Sequence, residues 1–150
     1  MFLTHLECTS CGLRHEWRRL QNLCTKCGKP LFAAYDLDAV RKLDCFKQSS
    51  FGEREKSLWR WRELLPLPKD AEPVSLGEGG TPLLRATKFG GDIDVDLWIK
   101  DESLNPTQSF KARGMSVAVS MAKYLGAKKL AVPSAGNAGG ALAAYAARAA

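Results

Sequence analysis

Two closely spaced pairs of cysteines constrain the fold of this chain more than any other feature. Cys8 and Cys11 form one Cys-x-x-Cys pair, Cys24 and Cys27 form a second, and a glycine follows each pair. Two intervening residues let a tight turn aim both sulfurs at one metal ion, and the glycine lets the backbone approach the thiolates. The spacing predicts a closed tetrahedral site that holds a structural zinc ion.

The sequence around these cysteines predicts a small zinc-ribbon-like module over residues 1–35. Its first thirty residues are too few to build an apolar core, so metal ligation must replace one. Iron and a pair of disulfides are alternatives, although nothing in the sequence indicates an oxidising compartment. His5 and His15 are expected to be surface residues because four cysteines complete the site, and Cys45 is expected to be a packing residue.

A helical connector is predicted over residues 36–72. DLDAVRKL is one short helical stretch, and REKSLWRWRELL is a second in which apolar residues recur at helical spacing before Pro66. Those apolar residues are Leu58, Trp61, Leu64 and Leu65. The turn-rich run PLPKDAEP then marks a boundary before residue 73.

Residues 73–150 alternate between strand and helix patterns. IDVDLWIK has the period of a strand, and KLAVP is a short apolar strand. Helices are predicted over 109–125 and from Ala138 onward. The apolar face of the first helix would consist of Phe110, Met115, Val119, Ala122 and Leu125. Strands that alternate with helices predict an α/β fold with a parallel sheet.

Composition and charge limit the classes of function. The chain is 45% hydrophobic and 25% charged, which is typical of a globular protein, and its net charge of +6 suits anionic small molecules. No signal peptide or apolar run of about 18 residues is present, which predicts a cytoplasmic protein without a membrane partner. The chain ends inside an alanine-rich helix pattern, so we expect a longer protein.

A nucleic-acid-binding zinc ribbon is the alternative from another class of function. Zinc ribbons often bind nucleic acid, and this one carries basic side chains with one aromatic residue among them. These residues are Arg14, Trp17, Arg18, Arg19, Lys26 and Lys29. Any solvated small module displays a similar set, so we expect no nucleic-acid partner.

Two segments of the second half could form a ligand site. Lys111 lies at the start of a helix in KDESLNPTQSFKARGM, and an amine becomes nucleophilic when burial or neighbouring charge lowers its pKa. Residues 133–141, PSAGNAGGA, lie between a predicted strand and a helix, where ligands bind in parallel sheets. Small residues there let backbone N–H groups reach a carboxylate or phosphate.

In combination these segments resemble the threonine synthase family of fold-type II pyridoxal-phosphate enzymes. The resemblance covers nearly the whole chain and includes the cysteine module followed by YDL, then GEGGTPL at residues 77–83. KDESLNPTQSFKARG at residues 100–114 and SAGNAGGALAAYAARA at residues 134–149 follow in the family's order. The resemblance implies a catalytic α/β domain, of which residues 73–150 would be the N-terminal part.

The resemblance also implies roles for individual residues. Lys111 would bind pyridoxal 5'-phosphate through a Schiff base, Phe110 would lie beside the cofactor ring, and Asn137 would hydrogen-bond its 3-hydroxyl oxygen. The residues that grip the substrate carboxylate would be Ser134, Ala135, Gly136, Asn137 and Ala138. Thr81 and Ser109 would line the same cleft.

The family's reaction converts O-phospho-L-homoserine and water to L-threonine and phosphate, and the released Lys111 amine would shuttle protons. Gln108 stands where the family commonly has glycine, and Ala112 where it commonly has aspartate. SFKARG is closer to serine/threonine dehydratases, and cysteate synthases are also similar, so both are alternatives. The cofactor phosphate loop would lie downstream. We therefore expect no activity from these 150 residues alone. A homo-oligomer is expected at full length.

Overall fold

A computed structural model describes residues 1–44 and 52–150, so the expectation for Cys45 lies outside the described residues. The strands are β1 Leu3–Cys8, β2 Arg14–His15, β3 Leu31–Tyr35, β4 Leu83–Arg85 and β5 Trp98–Lys100. The helices are α1 Leu37–Arg41, α2 Thr87–Asp92, α3 Lys111–Tyr124 and α4 Asn137–Ala149. Two 3₁₀ helices span Leu58–Leu64 and Glu102–Leu104.

The cysteine module contains a three-stranded antiparallel sheet with the order β2-β1-β3. In its central strand, Leu6 is opposite His15 on one side and Ala33 on the other. The module contacts the second half of the chain through Trp17, which is 7% exposed and stacks on Tyr124 of α3 with 6.3 Å between ring centroids. The small sheet is therefore connected to the helix whose first residue is Lys111.

Both helices predicted in the second half are confirmed. The helix expected over 109–125 is α3, which ends at Tyr124, and the helix expected from Ala138 is α4, which begins at Asn137. The two helices share an apolar core, whose buried residues are Val74, Ala112, Val119 and Tyr145. This core holds the N-terminal ends of both helices on one side of the protein.

The predicted apolar face of α3 is confirmed at Val119, which is buried, and at Met115, which packs against the core, but it is wrong at Phe110. Phe110 is 56% exposed, whereas Ser116 and Ser120 are buried. The Ser116 hydroxyl donates to the Val74 carbonyl at 2.8 Å, and the Val74 N–H donates to the Ser120 hydroxyl at 2.8 Å. A backbone segment thus lies along a hydroxyl stripe of α3, which an apolar pattern cannot detect.

The predicted strands are shorter than the sequence indicated. Only Trp98–Lys100 of the IDVDLWIK segment is a strand, and it pairs antiparallel with Leu83–Arg85. Residues 130–133 form no strand, and no parallel pair occurs in residues 1–44 or 52–150. A strand needs a neighbour that satisfies its backbone groups, and alternation of side chains alone does not provide one. The parallel sheet stays a prediction.

The connector differs from the predicted amphipathic helix. Residues Leu58–Leu64 form a 3₁₀ helix that is interrupted by non-helical angles at Trp61. Trp59 is buried, whereas Trp61 is 36% exposed. A 3₁₀ helix has about three residues per turn. The apolar face of the connector, which was predicted from α-helical spacing, was therefore assigned to the wrong residues. Within the described ranges, no helix is both long and apolar enough to span a membrane.

Close backbone approach in the 77–83 loop generates a prediction. Gly80 has a φ of +60°, and a Cβ there would clash with the Lys56 carbonyl oxygen, whereas a Cβ on Gly77, at +87°, would meet nothing within 4 Å. Gly77→Ala should therefore cost about 1 kcal/mol from backbone strain alone. Gly80→Ala should cost roughly 3 kcal/mol because strain and a clash combine. Urea unfolding measures both, and equal losses would contradict the assigned clash.

Candidate functional site

Lys111 and the loop before α4 line the same cleft. This cleft has a volume of about 430 Å³ and is lined by Lys111 and residues 133–138. Lys111 is the first residue of α3, and Asn137 is the first residue of α4. The packing of the two helices therefore brings together the lysine and the loop that the sequence singled out, namely Ser134, Ala135, Gly136, Asn137 and Ala138.

The amine of Lys111 lies over an aromatic ring. Its Nζ is 4.2 Å from the centroid of the Phe110 ring, and the Lys111 side chain is half-buried. The Lys111 backbone N–H donates to the Ser109 hydroxyl at 3.3 Å. A primary amine that is accessible in a cleft and flanked by an aromatic face can attack a carbonyl carbon.

The loop opposite Lys111 is organised by one hydroxyl. Ser134 Oγ accepts hydrogen bonds from the N–H groups of Gly136 and Gly139, each at 3.0 Å. The Asn137 side chain is exposed and makes no hydrogen bond with the described part of the chain. Helix N-termini carry unpaired N–H groups and a partial positive charge, so this end of α4 suits a carboxylate or phosphate.

Thr81 and Ser109 are not among the residues that line this cleft. Both are 6% exposed, and Ser109 lies behind the Lys111 backbone. The Thr81 hydroxyl donates to Glu102 at 2.6 Å and accepts from Arg113 at 3.2 Å. Their contact with substrate stays a prediction, because in this structure their hydroxyls serve internal hydrogen bonds.

An ion pair that no sequence pattern had predicted lies beside the start of α3. Arg113 donates to the two Glu102 carboxylate oxygens at 2.6 and 2.7 Å, and Asn105 donates to the same carboxylate at 3.0 Å. The Arg113 hydrogen bonds lower the pKa of Glu102 to about 2. Asn105 also accepts from the Gly79 N–H, so the network ties the 77–83 loop to α3. In the sequence, the ion pair is indicated only by the opposite charges of Glu102 in KDES and Arg113 in KAR.

The two departures from the family's motif have different structural settings. Gln108 has a φ of +52°, in the left-handed region where a glycine is unstrained, which explains the family's usual residue. Ala112 is fully buried in the core between the helices. An aspartate at that position would need buried hydrogen-bond partners, so alanine is the less costly residue in this packing.

The four cysteines converge on one point. Their sulfurs all lie within 4.8 Å of one another, with Cys8 and Cys27 at 3.4 Å and Cys11 and Cys24 at 3.7 Å. Zinc–sulfur bonds of about 2.3 Å place tetrahedral sulfurs about 3.8 Å apart, so the donor set fits a four-coordinate metal ion. All four thiols are free of disulfides.

One of these thiols is prepared for ligation by its own loop. The N–H groups of Cys11 and Ser10 donate to Cys8 Sγ at 3.4 Å and lower the pKa of Cys8 to about 6. At Cys27 the backbone hydrogen bond near Lys29 is outweighed by the contact with Cys8 and by burial, which raise the pKa of Cys27 to about 12. Metal ligands are thiolates, so this loop favours the binding form. His5 and His15 are half-buried in the sheet, contrary to expectation, and the metal-ligand group contains neither of them.

Comparison with known proteins identifies the family of this chain. Residues 74–150 match the family model described as "Pyridoxal-phosphate dependent enzyme". The threonine synthase of Methanosarcina acetivorans is 38% identical over 146 residues, which are 97% of this chain and 35% of the relative. That of Methanocaldococcus jannaschii is 37% identical over 143 residues, with coverage of 95% and 35%. The chain thus spans about a third of the length of these relatives.

A mycobacterial relative matches more closely over a shorter region. The threonine synthase of Mycobacterium tuberculosis H37Rv is 46% identical over 89 residues, which are 59% of this chain and 25% of the relative. The two archaeal relatives match almost the whole chain, and their alignments therefore include cysteine-module residues as well as the cleft.

The ion pair at Glu102 predicts a specific acid sensitivity. Its folded-state pKa of about 2 is below the ordinary value of 4.5, so its contribution to stability is complete above pH 4.5 and is lost as the pH falls toward 2. Glu102→Gln should flatten the decline of the unfolding free energy over that range. Asp96→Asn, which removes an exposed partner of Arg85, should leave the slope near that of the unchanged protein. Parallel curves for all three proteins would contradict the prediction.

Proposed function

Because this chain belongs to the pyridoxal-phosphate dependent enzyme family, we propose that it is the part of a threonine synthase that supplies the cofactor lysine. The observation that carries the proposal is the single cleft shared by Lys111 and residues 133–138. Relatives named threonine synthase match up to 97% of the chain, which favours this member of the family over a dehydratase or a cysteate synthase.

The residues of the cleft fit the chemical groups of pyridoxal phosphate and an amino acid. When bound, this cofactor supplies an electron sink for the carbon that bears the substrate amine. Lys111 would attach the cofactor, Phe110 would lie beside it, and Asn137 would hydrogen-bond its ring oxygen. Residues 134–138 would bind the substrate carboxylate at the positive end of α4.

The proposed reaction converts O-phospho-L-homoserine and water to L-threonine and phosphate. Removal and return of protons near the reacting carbons require a mobile base in the cleft, and Lys111 Nζ is the amine in this position. The side chain is half-buried, so an attached ligand would shield it from bulk water. Substrate contact by Thr81 and Ser109 is also part of the proposal.

We propose that the cysteine module, residues 1–35, holds a structural zinc ion. Residues 36–72 would form the connector, and residues 73–150 would form part of the catalytic domain. Four free thiols in ligand geometry are also compatible with a reducing, cytoplasmic compartment.

Trp17, the aromatic residue that base stacking would require, is buried against Tyr124. This burial weighs against the nucleic-acid-binding alternative.

Chemical trapping tests the proposed lysine. Borohydride reduction of the full-length protein with pyridoxal phosphate should leave a stable adduct on Lys111, which peptide mass spectrometry identifies. Lys111→Arg should abolish the adduct because its guanidinium stays protonated, whereas Lys123→Arg, an exposed change in the same helix, should retain it. Release of phosphate from O-phosphohomoserine then supports a synthase, and release of ammonia from threonine would instead indicate a dehydratase. An adduct on another lysine would refute the assignment.

Metal removal tests the module. A strong chelator should unfold residues 1–35 while α3 and α4 stay folded, because ligand bonds replace an apolar core only in the module. Hydrogen exchange measured by peptide should therefore increase in β1 and β3 and stay unchanged in the helices. A protein that contains no metal by elemental analysis and shows identical exchange with and without chelator would contradict the zinc proposal.

A further inference from the structure

We propose that Glu78 is a positioning residue whose carboxylate fixes α4 against α3 and thereby holds residues 134–138 opposite Lys111. The inference rests on the function proposed above and adds a residue outside the cleft to it. Glu78 belongs to the GEGGTPL segment, but it is not among the residues that line the cleft.

The Glu78 carboxylate is buried and accepts hydrogen bonds from several elements. Glu78 is 0% exposed, and its Oε1 accepts from Trp59 Nε1 at 2.9 Å. Its Oε2 accepts from the Tyr145 hydroxyl at 2.6 Å and from the Leu76 N–H at 3.0 Å. Burying an unpaired carboxylate is costly, so this set of donors is required to keep the group inside.

Hydrogen bonding keeps this carboxylate charged. Burial acts to raise the pKa of Glu78, but the hydrogen bonds that it accepts, including the one from Tyr145, outweigh burial and lower the pKa. Hydrogen bonds to an ionised acceptor are stronger and more directional than those between neutral groups. The contact between Glu78 and α4 is therefore geometrically specific.

The same carboxylate is connected to α3 through a shared donor. Trp59 Nε1 lies 3.0 Å from Ser116 Oγ as well as 2.9 Å from Glu78, and Ser116 donates to the Val74 carbonyl at 2.8 Å. Ser116 is in the second turn of α3, which begins at Lys111. Tyr145 is in the third turn of α4, so a chain of hydrogen bonds joins the two helices.

The apolar contacts closest to Lys111 and Asn137 are made by small side chains. Ala112 of α3 and Ala141 of α4 are both fully buried and make few interlocking contacts, whereas the larger Val119 and Tyr145 lie further along the two helices. Helix ends that meet through small residues can shift more easily than ends with interdigitated large ones. Since Lys111 and Asn137 are on different helices, sliding would change their separation, and a shift of about 1 Å can cost about 100-fold in rate.

The test removes single hydroxyl groups from the full-length enzyme loaded with pyridoxal phosphate. Tyr145→Phe keeps the ring and deletes the donor to Glu78. Tyr124→Phe is the matched control, because its hydroxyl makes no hydrogen bond within residues 1–44 and 52–150. We expect Tyr145→Phe to weaken cofactor binding about tenfold and to shift the pH titration of the bound cofactor's absorbance, whereas the control stays within about twofold.

Ser116→Ala provides an independent variant at the α3 end of the chain and should change both readouts in the same direction. If Tyr145→Phe and Ser116→Ala lower only the melting temperature and match the control in affinity and titration, the positioning role is overturned. Borohydride trapping separates the two proposals. Labelling of Lys111 in the unmodified enzyme, combined with variants that match the control, would reject Glu78 alone, and failure to label Lys111 would reject both.

Discussion

A buried carboxylate with a full set of donors is the interaction on which the second half of this protein depends. Glu78 lies where the GEGGTPL loop, the connector and the two long helices meet, and it accepts hydrogen bonds from Trp59 and Tyr145. The nearby Glu102–Arg113 pair ties the same loop to the start of α3. Buried polar groups need defined partners at defined angles, so they specify a single arrangement more sharply than alanine packing does.

For function, the residues that line the cleft are distinct from the buried residues that hold them in position. Lys111 and Asn137 face the cleft with side chains that are accessible to a ligand. The groups that place them, such as Ser116 and Tyr145, are fully buried. Sites that must hold a reacting group accurately depend on such supporting contacts. The cysteine module adds a separate constraint, because Trp17 connects it to the far end of α3 from Lys111.

Local patterns in the sequence predicted some features of this protein and missed others. Lys111 and the loop at 133–141 were singled out because an amine and a glycine-rich helix start have recognisable residue types, and both helices followed from apolar spacing. The hydroxyl stripe at Ser116 was missed, because burial of serine depends on a partner distant in sequence. The length of the strand Trp98–Lys100 was overestimated for a related reason. Strand pairing depends on a neighbouring strand, which the alternation of apolar and polar residues does not reveal.

The sequence alone identified Cys8, Cys11, Cys24 and Cys27 as a candidate ligand set, because metal-ligand spacing is a local property of tight turns. It also determined the family, since ordered motifs are a property of the chain. Only the tertiary structure decided that Lys111 and residues 133–138 share one cleft, and that Glu78 is buried. Those facts depend on contacts between residues far apart in sequence, and such contacts form only when the helices pack.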